Sequence, residues 1–169
     1  MLAGGVGVGT MRDALKGEPQ VGEKVVALGG DNYRIGMGGG AVPSVNTGQY
    51  ANAIELNAVQ RANPEMQKRA ANVIRTLAES DNNPIVSIHD HGAGGHLNCL
   101  SELVESTGGK IDMSKLPIGD PTLSAKEIIG NESQERMGLL VKEDDLALIN
   151  RIADRERSPM YVVGETTGD

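Results

Sequence analysis

Aromatic residues are almost missing from this chain of 169 residues, which has three Tyr and neither Phe nor Trp. This scarcity excludes the aromatic platforms on which single-stranded nucleic acids stack. The interior must therefore be built from Val, Ile, Leu, Met and Ala. Positive charge is also in short supply, because 16 basic residues face 23 acidic residues and the net charge is −7. Such a chain attracts neither DNA nor an anionic membrane surface, so we expect no nucleic acid and no membrane among its partners.

Cysteine is represented by Cys99 alone. A single thiol excludes an internal disulfide bond and a cysteine-based zinc cluster. A reducing, cytoplasmic location is the simplest expectation. No apolar run approaches the length of a membrane span. The first residues lack the charged and apolar regions of a signal peptide.

Glycine is in excess, with 23 copies against about 12 expected from average usage. Between the glycine clusters, β-prone runs alternate with apolar residues at helical spacing, which predicts an α/β fold with helices covering the sheet. We expect this sheet to be mixed, although the pattern does not give the number of parallel pairs. Asn63 and Pro64 are an N-cap and a first helical residue, and they start the clearest predicted helix. The pattern does not predict the strand order. Predicted strands are residues 24–28, 85–88, 110–113, 136–141 and 160–163; further predicted helices lie within 97–104, 124–129 and 146–153.

The first 22 residues are glycine-rich and have no pattern of a free-standing domain. We expect residues 1–22 to be the tail of a preceding domain and the connection from it. The domain proper then spans residues 23–169, as part of a larger enzyme.

A glycine-dense segment at Gly36–Ala41 matches the pattern G-x-G-x-x-A of dinucleotide-binding proteins. The context is wrong for that site, because Val42-Pro43-Ser44 follows where a helix is required. A mobile loop, or a loop whose N–H groups lie near a ligand, is the better interpretation. The sequence contains no Walker-type phosphate loop.

All three histidines lie within His89–His96, the segment that also holds Asp90 and a glycine run. One hypothesis is a zinc site built from the histidines and Asp90. A second makes Asp90 a Mg²⁺ ligand at the end of a strand, beside glycine amides that can approach an anion. A third is a tight turn that needs glycine, with Asp90 capping the next helix. The residues alone leave these alternatives open.

A run of polar residues, Asn131–Arg136, comes directly before an apolar strand. Ser133 and Gln134 can hydrogen-bond an amide or a ribose, and Glu132 can accept from hydroxyl groups. Arg136 can pair with a phosphate or a carboxylate. A solvated connection with a local Arg–Glu pair is the other interpretation, and the residue pattern by itself favours it.

Five blocks of the chain closely resemble phosphoribosylformylglycinamidine synthases, the amidotransferases of purine biosynthesis, in their long single-chain form. The blocks occur in the same order as in that family and extend over nearly the whole chain. They are LGGDNYRIGMGGGA (28–41), AVQRANPEMQKR (58–69), HDHGAGG (89–95), IGDPTLSAKEIIGNESQER (118–136) and RERSPMYVVGETTGD (155–169).

The resemblance implies a synthase with two halves, each an ATP-binding N-terminal domain followed by a C-terminal domain of the aminoimidazole-ribonucleotide-synthetase type. This chain resembles the C-terminal domain of the first half. The implied reaction converts formylglycinamide ribonucleotide, ATP, glutamine and water to formylglycinamidine ribonucleotide, ADP, phosphate and glutamate. Formylglycinamide ribonucleotide, ATP and the other domains, including a glutaminase domain, are the implied partners.

The resemblance also assigns roles to residues of this chain. Asp90 matches a magnesium-binding aspartate, and Gln60, Glu132, Ser133 and Gln134 match substrate-contacting residues. Most ATP contacts and the catalytic histidine belong to the N-terminal domain, so no catalytic residue is expected here and the isolated 169 residues are expected to be inactive. The alternative functions are a non-catalytic scaffold domain that shapes a neighbouring active site and a histidine-based zinc hydrolase.

Overall fold

The computed structural model describes residues 4–35, 42, 45–60 and 62–169. Within these residues the chain alternates between strands and helices, as the sequence pattern predicts. In chain order the elements are β1 (Lys24–Gly29), α1 (Asn52–Leu56), α2 (Pro64–Ala78), β2 (Ile85–His91), α3 (Gly95–Val104), β3 (Gly109–Ile111), α4 (Ala125–Ile129), β4 (Ser133–Val141), α5 (Leu146–Glu156) and β5 (Met160–Thr166). The expected Gly36–Ala41 loop lies outside the described residues.

The strands form one sheet in the order β2-β4-β1-β5-β3, and each of its pairings is antiparallel. The α/β class is confirmed, whereas the described strands form an antiparallel sheet and not the expected mixed one, because the alternation of strands and helices does not determine strand direction. The parallel contacts in the described part of the chain are two isolated bridges, Asn32–Ile118 and Gln60–Ser133. Because neighbouring strands run in opposite directions, the carboxyl ends of β1 and β2 lie beside the amino ends of β4 and β5. This shared end of the sheet carries the polar residues discussed below.

Both faces of the sheet are covered, which explains why β1 is a continuous apolar run rather than an alternating one. Val26 and Leu28 face α2 and α5, together with Leu139 and Val141 of β4. The opposite face packs against α3. The interior is aliphatic, as the composition predicts. A fully buried Val or Leu contributes about 1.5–3 kcal/mol.

Helix α2 begins where the sequence predicts. The side chain of Asn63 accepts a hydrogen bond from the backbone N–H of Met66 at 2.9 Å, and Pro64 occupies the first helical position. Ala70, Val73 and Leu77 are the buried residues of its inner face. No helix in the described ranges has the length and apolar character needed to cross a membrane.

Strand β2 is longer than predicted and continues through Asp90 to His91. The interpretation of Asp90 as a helix cap is therefore wrong. Gly94 occupies the N-cap position of α3 with a left-handed φ of 83°, and no side chain caps that helix. The glycine run thus forms the strand-to-helix turn, while Asp90 stays on the strand.

Candidate functional site

A bulge at the shared end of the sheet gives the candidate site its shape. Asp90 pairs with Met137, but the next residue of β2, His91, pairs with Ser133. Between these two pairs, β2 contains no additional residue, whereas β4 contains three. The three additional residues, Gln134–Arg136, form the bulge. Bulges of this kind redirect side chains and are common next to active sites.

Gln60 is inserted into this bulge by main-chain hydrogen bonds. Its N–H donates to the carbonyl of Glu132 at 2.9 Å, and its carbonyl accepts from the N–H of Gln134 at 3.1 Å. With the bridge to Ser133, these bonds bring together the four residues predicted to contact substrate. Gln60 lies far from the other three in sequence, so the fold is what assembles the group.

The side-chain amide of Gln60 is largely engaged within the protein. Its Oε1 accepts from the N–H of Tyr33 at 2.8 Å, and its Nε2 donates to the carbonyl of Asp31 at 2.8 Å and to Oε2 of Glu135 at 3.1 Å. Both amide protons are used, and one lone pair of Oε1 remains. Gln60 thereby fixes the segment that leads towards the glycine-dense loop.

The three residues of the polar run differ in exposure. Gln134 is exposed, whereas Glu132 and Ser133 are buried. The hydroxyl of Ser133 accepts a hydrogen bond from the N–H of Glu135 at 3.2 Å. The side chain of Gln134 is thus the most accessible polar group of the run.

Asp90 is exposed near the end of β2, in the strand next to β4. Its carboxylate folds back over the following turn, because a Cβ placed on Gly92 would lie 2.5 Å from Oδ1 of Asp90. No cluster of three or more His, Cys, Asp or Glu side chains in the described residues is arranged to hold a metal. A lone carboxylate fits Mg²⁺, which keeps several waters and binds substrate phosphates, but it does not fit zinc.

The three histidines do not converge on a common point, so the zinc hypothesis is wrong for the described residues. His89 is partly exposed and lies between Glu102 and Lys16, with Nδ1 2.8 Å from Oε2 and Nε2 2.7 Å from Nζ. His91 and His96 are buried against each other, with Nε2 of the first 2.9 Å from Nδ1 of the second. Burial lowers the pKa of His91 to about 3, and it also lowers the pKa of His96.

Sequence reasoning did not identify Asn131 as the partner of Arg136, and it did not select Glu135. Arg136 is fully buried, and its Nη2 donates to the carbonyl of Asn131 at 2.8 Å and also to Oδ1 of the same residue. Burial lowers the pKa of Arg136 to about 9, so the guanidinium keeps its charge at neutral pH. Glu135 is also buried and accepts from the N–H of Asn63 at 2.6 Å. Strand alternation could not have selected both, because Glu135 and Arg136 are consecutive residues of β4 and both are buried.

A five-stranded antiparallel sheet with helices on both faces and a polar bulge at one end defines the class of α/β domain to which this chain belongs. Residues 20–169 match the family described as AIR synthase related protein, C-terminal domain, and the chain belongs to that family.

The resemblance to phosphoribosylformylglycinamidine synthases is confirmed. The chain is 43% identical over 173 residues to the phosphoribosylformylglycinamidine synthase of Dictyostelium discoideum, covering all of this chain and 13% of the relative. It is also 43% identical over 169 residues to a probable chloroplastic/mitochondrial phosphoribosylformylglycinamidine synthase of Arabidopsis thaliana, covering 99% of this chain and 12% of the relative.

A solved structure of T. maritima PurL complexed with FGAR superimposes with a TM-score of 0.76 and 26% identity, over 90% of this chain and 25% of that one. The chain thus spans about an eighth of the length of these curated relatives and about a quarter of the solved one.

Proposed function

We propose that this domain is the substrate- and Mg²⁺-binding part of a phosphoribosylformylglycinamidine synthase. The complete enzyme would convert formylglycinamide ribonucleotide (FGAR) to formylglycinamidine ribonucleotide with ATP and glutamine, as an ATP-dependent carbon–nitrogen ligase. The observation that carries the proposal is the gathering of Gln60 with Glu132–Gln134 at the end of the sheet where Asp90 lies. The relatives' names and the FGAR complex of the T. maritima protein support the choice of substrate.

The polar bulge would recognise the neutral part of the ribonucleotide. Gln134 offers an exposed amide that can both donate and accept, and we assign the direct contact to it. Gln60, Glu132 and Ser133 are buried, so their main contribution would be to hold the backbone of the run in place. A substrate bound there would meet preorganised groups, which lowers the entropy cost of orienting it.

Asp90 would hold Mg²⁺ through its exposed carboxylate. A bound Mg²⁺ would neutralise phosphate charge, which an acidic protein otherwise repels. The protein's own part is to place one carboxylate beside the glycine turn at residues 92–95. Waters and substrate phosphate would complete the coordination.

Other domains of the same polypeptide would supply the remaining groups. We assign most ATP contacts to an N-terminal domain and ammonia production to a glutaminase domain, with the enzyme in the cytoplasm and residues 1–22 as the connection to the preceding domain. Because the reacting groups must be placed together, we expect no synthase turnover from the 169 residues by themselves.

The test replaces Asp90 with Asn in the complete synthase and measures ammonia-dependent synthesis across a range of Mg²⁺ concentrations. We expect the Mg²⁺ concentration for half-maximal rate to rise about 10- to 100-fold, since the variant loses the charge of the ligand. Asp144→Asn is the matched control, because this exposed aspartate follows the opposite end of β4. An unchanged Mg²⁺ response in Asp90→Asn would remove the metal role.

The scaffold function is the second candidate, and the burial of Gln60 and Ser133 favours it. A scaffold would tolerate loss of the exposed amide of Gln134. We expect Gln134→Ala to raise the KM for FGAR in the complete synthase while leaving the melting temperature unchanged. An unchanged KM in this variant, together with an unchanged Mg²⁺ response in Asp90→Asn, would establish the scaffold function instead.

A further inference from the structure

Among the residues that the structure describes, Arg136 has the largest fully buried side chain. A buried cation is costly unless it is hydrogen-bonded and usually has a carboxylate partner. The charges of the nearby Glu135 and Asp31 act on this guanidinium, but its hydrogen bonds within the described residues go to Asn131, and both use Nη2. The burial of this guanidinium at the end of the sheet therefore requires an explanation other than packing.

Asn131 links Arg136 to two other parts of the site. Its side-chain Nδ2 donates to the carbonyl of Tyr33 at 2.7 Å, in the segment that Gln60 also fixes. Its backbone touches the glycine turn after Asp90, because a Cβ placed on Gly95 would lie 2.5 Å from the carbonyl carbon of Asn131. Asn131 therefore contacts the turn, the Tyr33 segment and the start of the polar run at once.

Arg136 itself is held from the other side by β1. A Cβ placed on Gly29 would lie 3.0 Å from both Cα and Cγ of Arg136, so the strand leaves no room for this side chain to shift towards it. The stem of this side chain is thus packed closely against β1, and the guanidinium at its end is bonded to Asn131. The bulge that carries Gln134 lies between these two residues in sequence.

We propose that Arg136 is a positioning residue that acts through Asn131 to fix the polar run Glu132–Gln134 relative to the Asp90 turn. The inference rests on the proposed function, since it concerns the binding of FGAR by that run. Arg136 does not contact the substrate. It sets the spacing between the groups that would bind the substrate's neutral part and the carboxylate that would hold the metal ion.

The decisive comparison is between Arg136→Met and Leu139→Ala in the complete synthase. Met keeps an apolar stem but cannot bond Asn131, whereas Leu139→Ala opens a cavity three residues further along the same strand. Both variants are expected to lower the melting temperature. We expect only Arg136→Met to raise the KM for FGAR, by about tenfold or more, because small displacements of positioning groups weaken binding strongly.

Amide hydrogen exchange gives a readout that does not depend on activity. The N–H of Gln134, which is bonded to Gln60, should exchange faster in Arg136→Met and at the unchanged rate in Leu139→Ala. If Arg136→Met does not fold, Asn131→Ala replaces it, because this variant keeps the guanidinium and removes the side-chain link to Tyr33. Asn131→Ala should show the same rise in KM and the same faster exchange.

The possible results distinguish the binding of FGAR by the polar run from the positioning role of Arg136. An unchanged KM in Gln134→Ala would contradict the proposed binding of FGAR by this run. A raised KM in Gln134→Ala, with KM and exchange unchanged in both Arg136→Met and Asn131→Ala, would overturn the positioning role alone. Equal effects of Arg136→Met and Leu139→Ala on KM would reduce Arg136 to a structural residue.

Discussion

Gly92 determines where the Asp90 carboxylate can lie. A methyl group at this position would collide with Oδ1 of Asp90, which is the movable end of a side chain, and Gly92 has no left-handed φ. We expect Gly92→Ala to change the free energy of unfolding by no more than about 0.5 kcal/mol, as at ordinary surface positions. The displaced carboxylate should nevertheless raise the Mg²⁺ concentration needed by the synthase. Urea unfolding and the Mg²⁺ dependence of the rate measure the two effects.

Gly95→Ala is the contrasting variant for that prediction. Gly95 has a φ of 58° and its Cβ would meet the backbone of Asn131, so we expect a large loss of stability there. If Gly92→Ala keeps the wild-type Mg²⁺ response while Asp90→Asn loses it, the carboxylate needs no fixed position.

Exposed residues that would contact a ligand directly are easier to predict from the sequence than buried residues that hold other residues in place. Asp90 and Gln134 are exposed, and the sequence pattern together with the family resemblance selects both of them as candidates. Arg136 was expected to pair with a phosphate or a carboxylate, yet its bonds go to Asn131. Nothing in the local pattern indicates this partner, because the chain between Asn131 and Arg136 forms a bulge that is bonded to Gln60, which is remote in sequence.

The packing of β4 against α3 depends on Gly138. A Cβ at this position would lie 2.5 Å from Sγ of Cys99 and 3.0 Å from Cδ1 of Leu103. We expect Gly138→Ala to destabilise the domain by about 1–3 kcal/mol, since a well-packed interior resists added volume. Adding Cys99→Ala should recover part of the loss, because it removes the nearer atom, and this coupling appears as non-additivity in urea unfolding.

Gly9→Ala is the control for this substitution, because no atom lies within 4 Å of its added Cβ. It should leave the unfolding midpoint unchanged. Strict additivity of Gly138→Ala and Cys99→Ala would show that the strand and helix move apart freely, contrary to the packing described.

Elements with local signals are predicted well from the sequence, and elements that depend on distant pairing are not. Helix α2 starts at the predicted residue, because Asn63 and Pro64 act within one helical turn. Strand β4 begins three residues earlier than the predicted 136–141, and β2 also extends further than predicted. The extension of β2 is paired with β4, and the extension of β4 is also bonded to Gln60; no short window of sequence contains these contacts.

At the scale of the whole molecule, the composition predicts what fills the core but not how the strands are ordered. Strand β1 lies between β4 and β5, so Leu28 pairs with Met137 on one side and Met160 on the other. These partners are distant in sequence, and local hydrophobic patterns carry no information about which distant strands pair. The antiparallel order matters for the proposed function, because it brings Gln60, the polar run and Asp90 to one end of the sheet.

The same arrangement makes the stability of the domain depend on pH through buried imidazoles. Burial, with the charge of Arg136 and the neighbouring His91, lowers the pKa of His96 below its ordinary value of 6.5. Below pH 6.5 the unfolded chain therefore binds a proton that the folded chain does not bind. The free energy of unfolding has its full value above this pH and falls as the pH decreases. The expected loss is about 1.4 kcal/mol per pH unit for each such imidazole.

Urea unfolding between about pH 7.5 and about pH 5.5 measures this slope above the range in which ordinary carboxylates titrate. His96→Gln should have a shallower slope than the wild-type chain, whatever its stability at neutral pH. Leu139→Ala should be less stable but keep the wild-type slope, because it removes no titrating group. A slope in His96→Gln equal to that of the wild-type chain would mean that His96 is protonated as readily in the folded protein as in the unfolded one, which its burial against His91 and Arg136 contradicts.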